Sequence, residues 1–85
     1  MSNDQIDSFL QKEFFSNSKI QISFKSRNSF VGIFVKTNDY QELMAKNFWR
    51  IIGESRVEEF LKSKDASIAR IFNGSEITRL SLAKQ

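Results

Sequence analysis

Two constellations of side chains in this chain have the types and the spacing to recognise a ligand. The first is Asn47-Phe48-Trp49-Arg50, where an aromatic pair adjoins a planar cation. Trp49 and Arg50 suit the stacking of an unpaired nucleic-acid base, or a cation–π contact with each other. Trp49 is also the only tryptophan, and a core position is its structural alternative. The second constellation is the cationic trio Lys25, Arg27 and Lys36, with Arg70 and Arg79 further along. Residues 16–37 contain no acid and carry a charge of +4 through Lys19, Lys25, Arg27 and Lys36, whereas residues 1–15 carry −2. Such a segment attracts polyanions by releasing their counterions, and its plain alternative is a solvated hairpin face.

Other chemistries are closed by composition. Nucleophilic catalysis of the Ser-His-Asp or Cys-His kind needs a base titrating near neutrality, and the chain has neither His nor Cys. Glu58-Glu59 is a carboxylate pair, but adjacent helical residues point apart, so these acids read as a solvated face. Gly32, Gly53 and Gly74 are too scattered for a phosphate-cradling loop, and no oxygen-ligand spacing suggests a metal. The expectation is a non-enzyme without cofactor or metal.

The elements that would position these side chains follow from periodicity. Ser2-x-x-Gln5 has the form of a capping box, and Ile6, Phe9, Leu10 and Phe14 then recur at helical spacing. A first helix is predicted from about Asn3 to Phe15, broken by Ser16-Asn17-Ser18. Ile20, Ile22 and Phe24 alternate with polar residues and predict a half-buried strand. After the turn Ser26-Arg27-Asn28-Ser29, the run Phe30 to Val35 is apolar at both parities, so this second strand must be covered on both faces. Gly32 within it marks a sharp bend or a backbone passing close. Asn38 or Asp39 caps a helical turn carrying Tyr40, Leu43 and Met44, and Phe48 to Ile52 forms strand three. Ser55-x-x-Glu58 is a second capping box, opening a helix over about 54–64. Ile68–Phe72 and Ile77–Leu82 flank Asn73-Gly74, a hairpin signal because both turn positions need positive φ. In that hairpin Arg70 would oppose Ile77 and Arg79 would oppose Ile68. Arg70, Phe72, Ile77 and Arg79 would then share a face suited to an interface.

At 85 residues, with 40% hydrophobic and 27% charged, the chain has room for a single domain over 1–85. The expected parts are an N-terminal helix over 1–16 and a barrel over 18–83. The absence of Cys favours the cytoplasm, and no run approaches the ~20 apolar residues of a membrane span. The fold class expected is α+β, mainly β: a small five-stranded antiparallel barrel with an N-terminal helix and a second helix between strands three and four. The alternative is an open sheet with helices on one face.

Phe9-Leu10, the alternation of Ile20, Ile22 and Phe24, the glycine in Phe30-Val31-Gly32-Ile33, and Asp39 soon after strand two resemble the Sm-like small β-barrels of the bacterial Hfq type. The likeness covers residues 6–39 and 67–82, with 40–47 and 53–66 as insertions. Beyond Asp39 it lies in the order of elements alone. Two departures bear on function. No Tyr-Lys-His segment separates the last two strands, where Phe72-Asn73-Gly74 stands instead. The position of a basic rim falls on the uncharged Phe14-Phe15-Ser16-Asn17. The resemblance implies an Sm- or SH3-like barrel and a ring or dimer joined by strand edges, and it transfers no RNA-contacting set.

Two functions are therefore expected as rivals. One is a module binding single-stranded RNA through Lys25, Arg27, Lys36, Trp49 and Arg50. The other is a protein-interaction or self-assembly module with no nucleic-acid role. The nine Phe exceed what a core of this size needs, so a homo-oligomer is expected, dimer before ring.

Overall fold

The structure is a computed structural model and describes residues 1–13 and 19–83. Helix α1 spans Asn3–Glu13. Its start is the capping box read from sequence: Gln5 N–H donates to Ser2 Oγ at 3.2 Å and Ser2 N–H donates to Gln5 Oε1 at 2.9 Å. Ile6 and Leu10, one turn apart, are fully buried. Phe14, Phe15 and the Ser16-Asn17-Ser18 break, together with the uncharged rim segment, lie outside the described residues.

Strands β1 (Ile20–Phe24), β2 (Phe30–Phe34) and β3 (Phe48–Gly53) form a meander, with helix α2 (Tyr40–Ala45) between β2 and β3. A 3₁₀ turn at Glu54–Arg56 leads into helix α3 (Val57–Ser63). A second 3₁₀ turn at Ala66–Ile68, strand β4 (Arg70–Asn73), a third 3₁₀ turn at Gly74–Glu76 and strand β5 (Ile77–Leu82) follow. The fold is α+β around one five-stranded antiparallel sheet of order β4-β3-β2-β1-β5.

Both faces of that sheet are covered, as the apolar run in β2 requires. On one face Phe34 joins Trp49, Ile51, Ile20 and Ile22 beneath Ile6, Leu10 and Tyr40 from α1 and α2. On the other, Ile33, Val35 and Ile52 meet Val57 of α3. The helices therefore lie on both faces, unlike the one-sided open sheet. Gly32 is where a backbone comes close: a Cβ there would stand 2.6 Å from the Ile52 carbonyl oxygen of β3.

The expected hairpin at Asn73-Gly74 does not form. β4 pairs with β3 (Phe48 opposite Asn73) and β5 pairs with β1 (Ile20 opposite Leu82), so the two strands occupy opposite edges. Asn73 has φ −81° instead of the positive value a tight hairpin needs, and its side chain accepts the Ser75 N–H at 2.9 Å. This local bond turns the backbone into a 3₁₀ turn and competes with the hairpin geometry. Gly74 N–H then donates to the Asn47 carbonyl at 2.7 Å. Arg70 accordingly lies opposite Ile51 and Arg79 opposite Ser23, not across from Ile77 and Ile68.

The ladder of hydrogen bonds is open between β4 and β5, yet the sheet is strongly curled. In a flat sheet β1 and β4 would be ~14 Å apart, three spacings of about 4.8 Å. Here Phe24 of β1 and Phe72 of β4 have ring centroids 5.6 Å apart. Lys25 N–H donates to the Glu76 carbonyl at 2.9 Å, which carries the β1–β5 pairing one residue beyond Phe24 and Ile77.

The second capping box is also replaced. α3 begins at Val57, its N-cap position is Arg56, and no side chain caps it. Glu59 instead takes an ion pair from Arg56 at 3.2 Å, an i,i+3 contact along the helix surface. Asp39 holds the N-cap position of α2 without capping it, because its carboxylate is engaged elsewhere.

Candidate nucleic-acid interface

The five residues expected to meet a nucleic acid are not brought together. Trp49 is 2% exposed. Its ring meets Phe34 and Tyr40 edge-on at 6.0 and 5.9 Å, and its indole N–H donates to Asn47 Oδ1 at 2.8 Å. Trp49 thus takes the core alternative and has no face left for a base. Arg50 spends its guanidinium on Asp39 in a two-point contact, Nη2 to Oδ2 at 2.7 Å and Nε to Oδ1 at 3.3 Å. That contact, with a further hydrogen bond from Thr37 Oγ1, holds the Asp39 carboxyl down at about 2. The same bond to Asp39 raises the Arg50 pKa further above its already high value. Lys36 follows the far end of β2 and lies 5.3 Å from the Tyr40 ring centroid. Five residues of β2 separate it from the β1–β2 turn that carries Lys25 and Arg27. Of the expected set, Lys25 and Arg27 alone share a location.

The expected interface face dissolves for the same reason that the hairpin does. Ile77 is wholly buried, Phe72 is half-buried within a ring cluster, and Arg70 and Arg79 sit on opposite edge strands.

A different assembly of residues takes their place. Arg27 of the β1–β2 turn, Arg56 at the start of α3 and Arg70 at the start of β4 surround a cleft of about 550 Å³. Its floor is apolar, with Phe30, Ile51, Ile68 and Phe72, and Glu54 and Ser55 stand on its wall. All three arginines are exposed. Glu54 is held 3.6 Å from Lys19, and Arg56 is shared with Glu59. Arg70 has no ion pair among the described residues. Arg27 lies flat against two rings, with its guanidinium carbon 5.5 Å from the centroids of both Phe24 and Phe72. Its tie to the protein is therefore a cation–π contact that leaves its charge unneutralised.

Sequence reading did not single out Arg56, and it placed Arg70 on a different face. Arg56 sits among acids in Glu54-Ser55-Arg56-Val57-Glu58-Glu59 and gives no local sign of pairing in space with Arg27. The signal lay in the curl of the sheet, which swings β4 toward the β1–β2 turn.

Among the described residues no group of three or more carboxylates stands close enough to hold a metal ion, and no buried side-chain nitrogen or oxygen lacks a partner. Among those residues no helix is long and apolar enough to cross a membrane. The cleft thus sets three exposed guanidinium groups and one carboxylate, Glu54, around aromatic carbon. Compared with protein-family models, curated proteins and solved structures, the chain matches none.

Proposed function

We propose that this chain is a non-catalytic, cytoplasmic small-barrel module of Sm-like type that binds single-stranded RNA in the cleft of Arg27, Arg56 and Arg70. The observation that carries this reading is three exposed guanidinium groups around an aromatic floor. Phosphates suit the guanidinium groups and bases suit the rings, the combination by which single strands are held without sequence preference. Lys25, exposed beside Arg27 in the same turn, adds to the field. The barrel reading is supported by the curl that joins Phe24 to Phe72 and by edge strands linked through a single 3₁₀ turn.

The test is a titration of labelled oligouridine RNA at two salt concentrations. Each neutralised phosphate on a single strand contributes about 0.7 to the slope of log affinity against log salt. Replacing Arg27, Arg56 and Arg70 together by Gln is expected to weaken binding and to lower the slope by about 2. An unchanged slope in that variant, or no binding by the wild type tighter than about 10⁻⁴ M, would overturn the reading.

The second reading, self-assembly, has its own observation. Each edge strand of the open sheet carries a large exposed apolar side chain, Ile71 on β4 at 51% and Leu82 on β5 at 52%. Unpaired edges bearing apolar groups are templates for another chain. The assembly so formed would be a homo-oligomer, dimer before ring, joined through these edges. Light scattering that finds only the 9.9 kDa species at micromolar concentration would exclude it.

A further inference from the structure

Phe24, Phe30 and Phe72 come from β1, β2 and β4 and touch one another pairwise. Their centroids are 5.3 Å apart for Phe24 and Phe30, 5.6 Å for Phe24 and Phe72, and 5.5 Å for Phe30 and Phe72. Each ring is half-buried, so the cluster is neither sealed in the core nor free on the surface. What lies over it is Arg27, equidistant from Phe24 and Phe72. On one side of Arg27 is the 550 Å³ cleft, and on the other is a smaller one of about 330 Å³ lined by Phe24, Arg27 and Phe72 among others. Arg27 and Phe72 line both clefts, and of the two Arg27 is the exposed side chain standing between them.

A guanidinium lying on a ring occupies the place where another flat π-system would lie. It is held there by an exposed cation–π contact, which is weaker than the stacking of a nucleobase on an aromatic side chain. A base that displaced it would free its charge to pair with the strand's own phosphate, in competition with Glu54 and Glu76 on the walls of the two clefts. We infer that the Phe24–Phe30–Phe72 cluster is a stacking platform for one unpaired base, and that Arg27 covers this platform in the free protein and passes to the RNA backbone when the base arrives. This rests on the RNA-binding reading and assigns it a base subsite, with Arg56 and Arg70 left to hold flanking phosphates.

The experiment uses oligouridine RNA carrying one fluorescent adenine analogue, whose emission falls when its ring stacks on an aromatic group. Binding to the wild type is expected to quench it. Phe72→Leu, which keeps the apolar volume without the flat face, is expected to weaken binding at least about fivefold with the salt slope unchanged and the quenching lost. Arg27→Ala is expected to keep the quenching while lowering the slope by about 0.7. If Phe72→Leu does not fold, the quenching by wild type and by Arg27→Ala decides alone, since Arg27 is exposed and its loss opens no cavity. RNA that binds with its analogue unquenched, or binds Phe72→Leu as tightly as wild type, would overturn the platform and leave the arginine cleft standing. A wild type that binds no RNA would remove both.

Discussion

Arg50 on β3 and Asp39 ahead of α2 are joined at two points, at 2.7 and 3.3 Å, and this ion pair fastens the β2–β3 connection to the sheet. A carboxylate stabilised by such a partner makes stability depend on pH in a defined direction. The Asp39 pKa is lowered from 3.8 to about 2, so the pair contributes fully above about pH 4 and is lost as pH falls toward 2. Thermal melts of wild type and Asp39→Asn are expected to differ at neutral pH and to converge across that acid window. A difference that persists at pH 2 would show that the charge is not what holds the connection.

Gly32 and Gly53 face each other across β2 and β3, yet they should respond oppositely to the same methyl group. A Cβ on Gly32 meets a backbone carbonyl at 2.6 Å, and nothing lies within 4 Å of one on Gly53. Gly32→Ala is expected to cost about 1–3 kcal/mol or more through overpacking, because a backbone oxygen cannot step aside. Gly53→Ala is expected to be neutral or to stabilise by up to about 1 kcal/mol, through the unfolded chain's lost freedom. Urea denaturation of the two variants checks both signs.

Asn47 serves the core in three ways. It takes the left-handed conformation at φ 62°, accepts the Trp49 indole N–H at 2.8 Å, and donates to the Met1 carbonyl at 3.0 Å. Asn47→Ala orphans a buried donor, at about 1–3 kcal/mol, and adds backbone strain of about 1–2 kcal/mol. Asn47→Gly removes the strain alone and is expected to be the milder change. Equal losses in the two variants, measured by denaturation, would place the whole effect on the two side-chain hydrogen bonds.

Ile71 and Leu82 separate assembly from folding. Neither is part of either buried cluster, so Ile71→Lys and Leu82→Lys should leave the melting temperature of the monomer nearly unchanged. Both are expected to shift the light-scattering mass of any oligomer toward 9.9 kDa. A mass unmoved by either charge would show that the strand edges are not the contact.

What was legible in the sequence was what local pattern controls. The Ser2–Gln5 capping box, the two-sided apolar run of β2 and the crowded Gly32 each depend on neighbours within a few residues or on one adjacent strand. Asn73-Gly74 carries a strong hairpin pattern but obeys a competing local bond to Ser75 and a distant one to Asn47. Ser55 and Glu58 have the right spacing for a cap, and the N-cap falls one residue later, at Arg56, because a 3₁₀ turn precedes the helix. The candidate site was legible in part: Arg27 and Arg70 were marked as cations, but their meeting with Arg56 depends on the curl of the whole sheet. Trp49 beside Arg50 looked like a recognition pair because adjacency in sequence is visible, and adjacent strand residues point to opposite faces. Trp49 went inward and Arg50 outward to Asp39.

The pairing of β1 with β5 sets the order in which this domain can be completed. Ile20 and Ile22 have β2 on one side from the start, but their other neighbours are Leu82 and Leu80. A chain emerging from the ribosome can build the β1–β2–β3 meander early, while β1 remains an open flank with apolar side chains until residues 77–82 have left the exit tunnel. Contacts so far apart in sequence carry a loop-closure cost before they return any stability, and they slow folding relative to local pairs. Pairing of β1 on its second side therefore waits on residues 77–82, so the apolar β1 edge stays open for as long as they are unavailable.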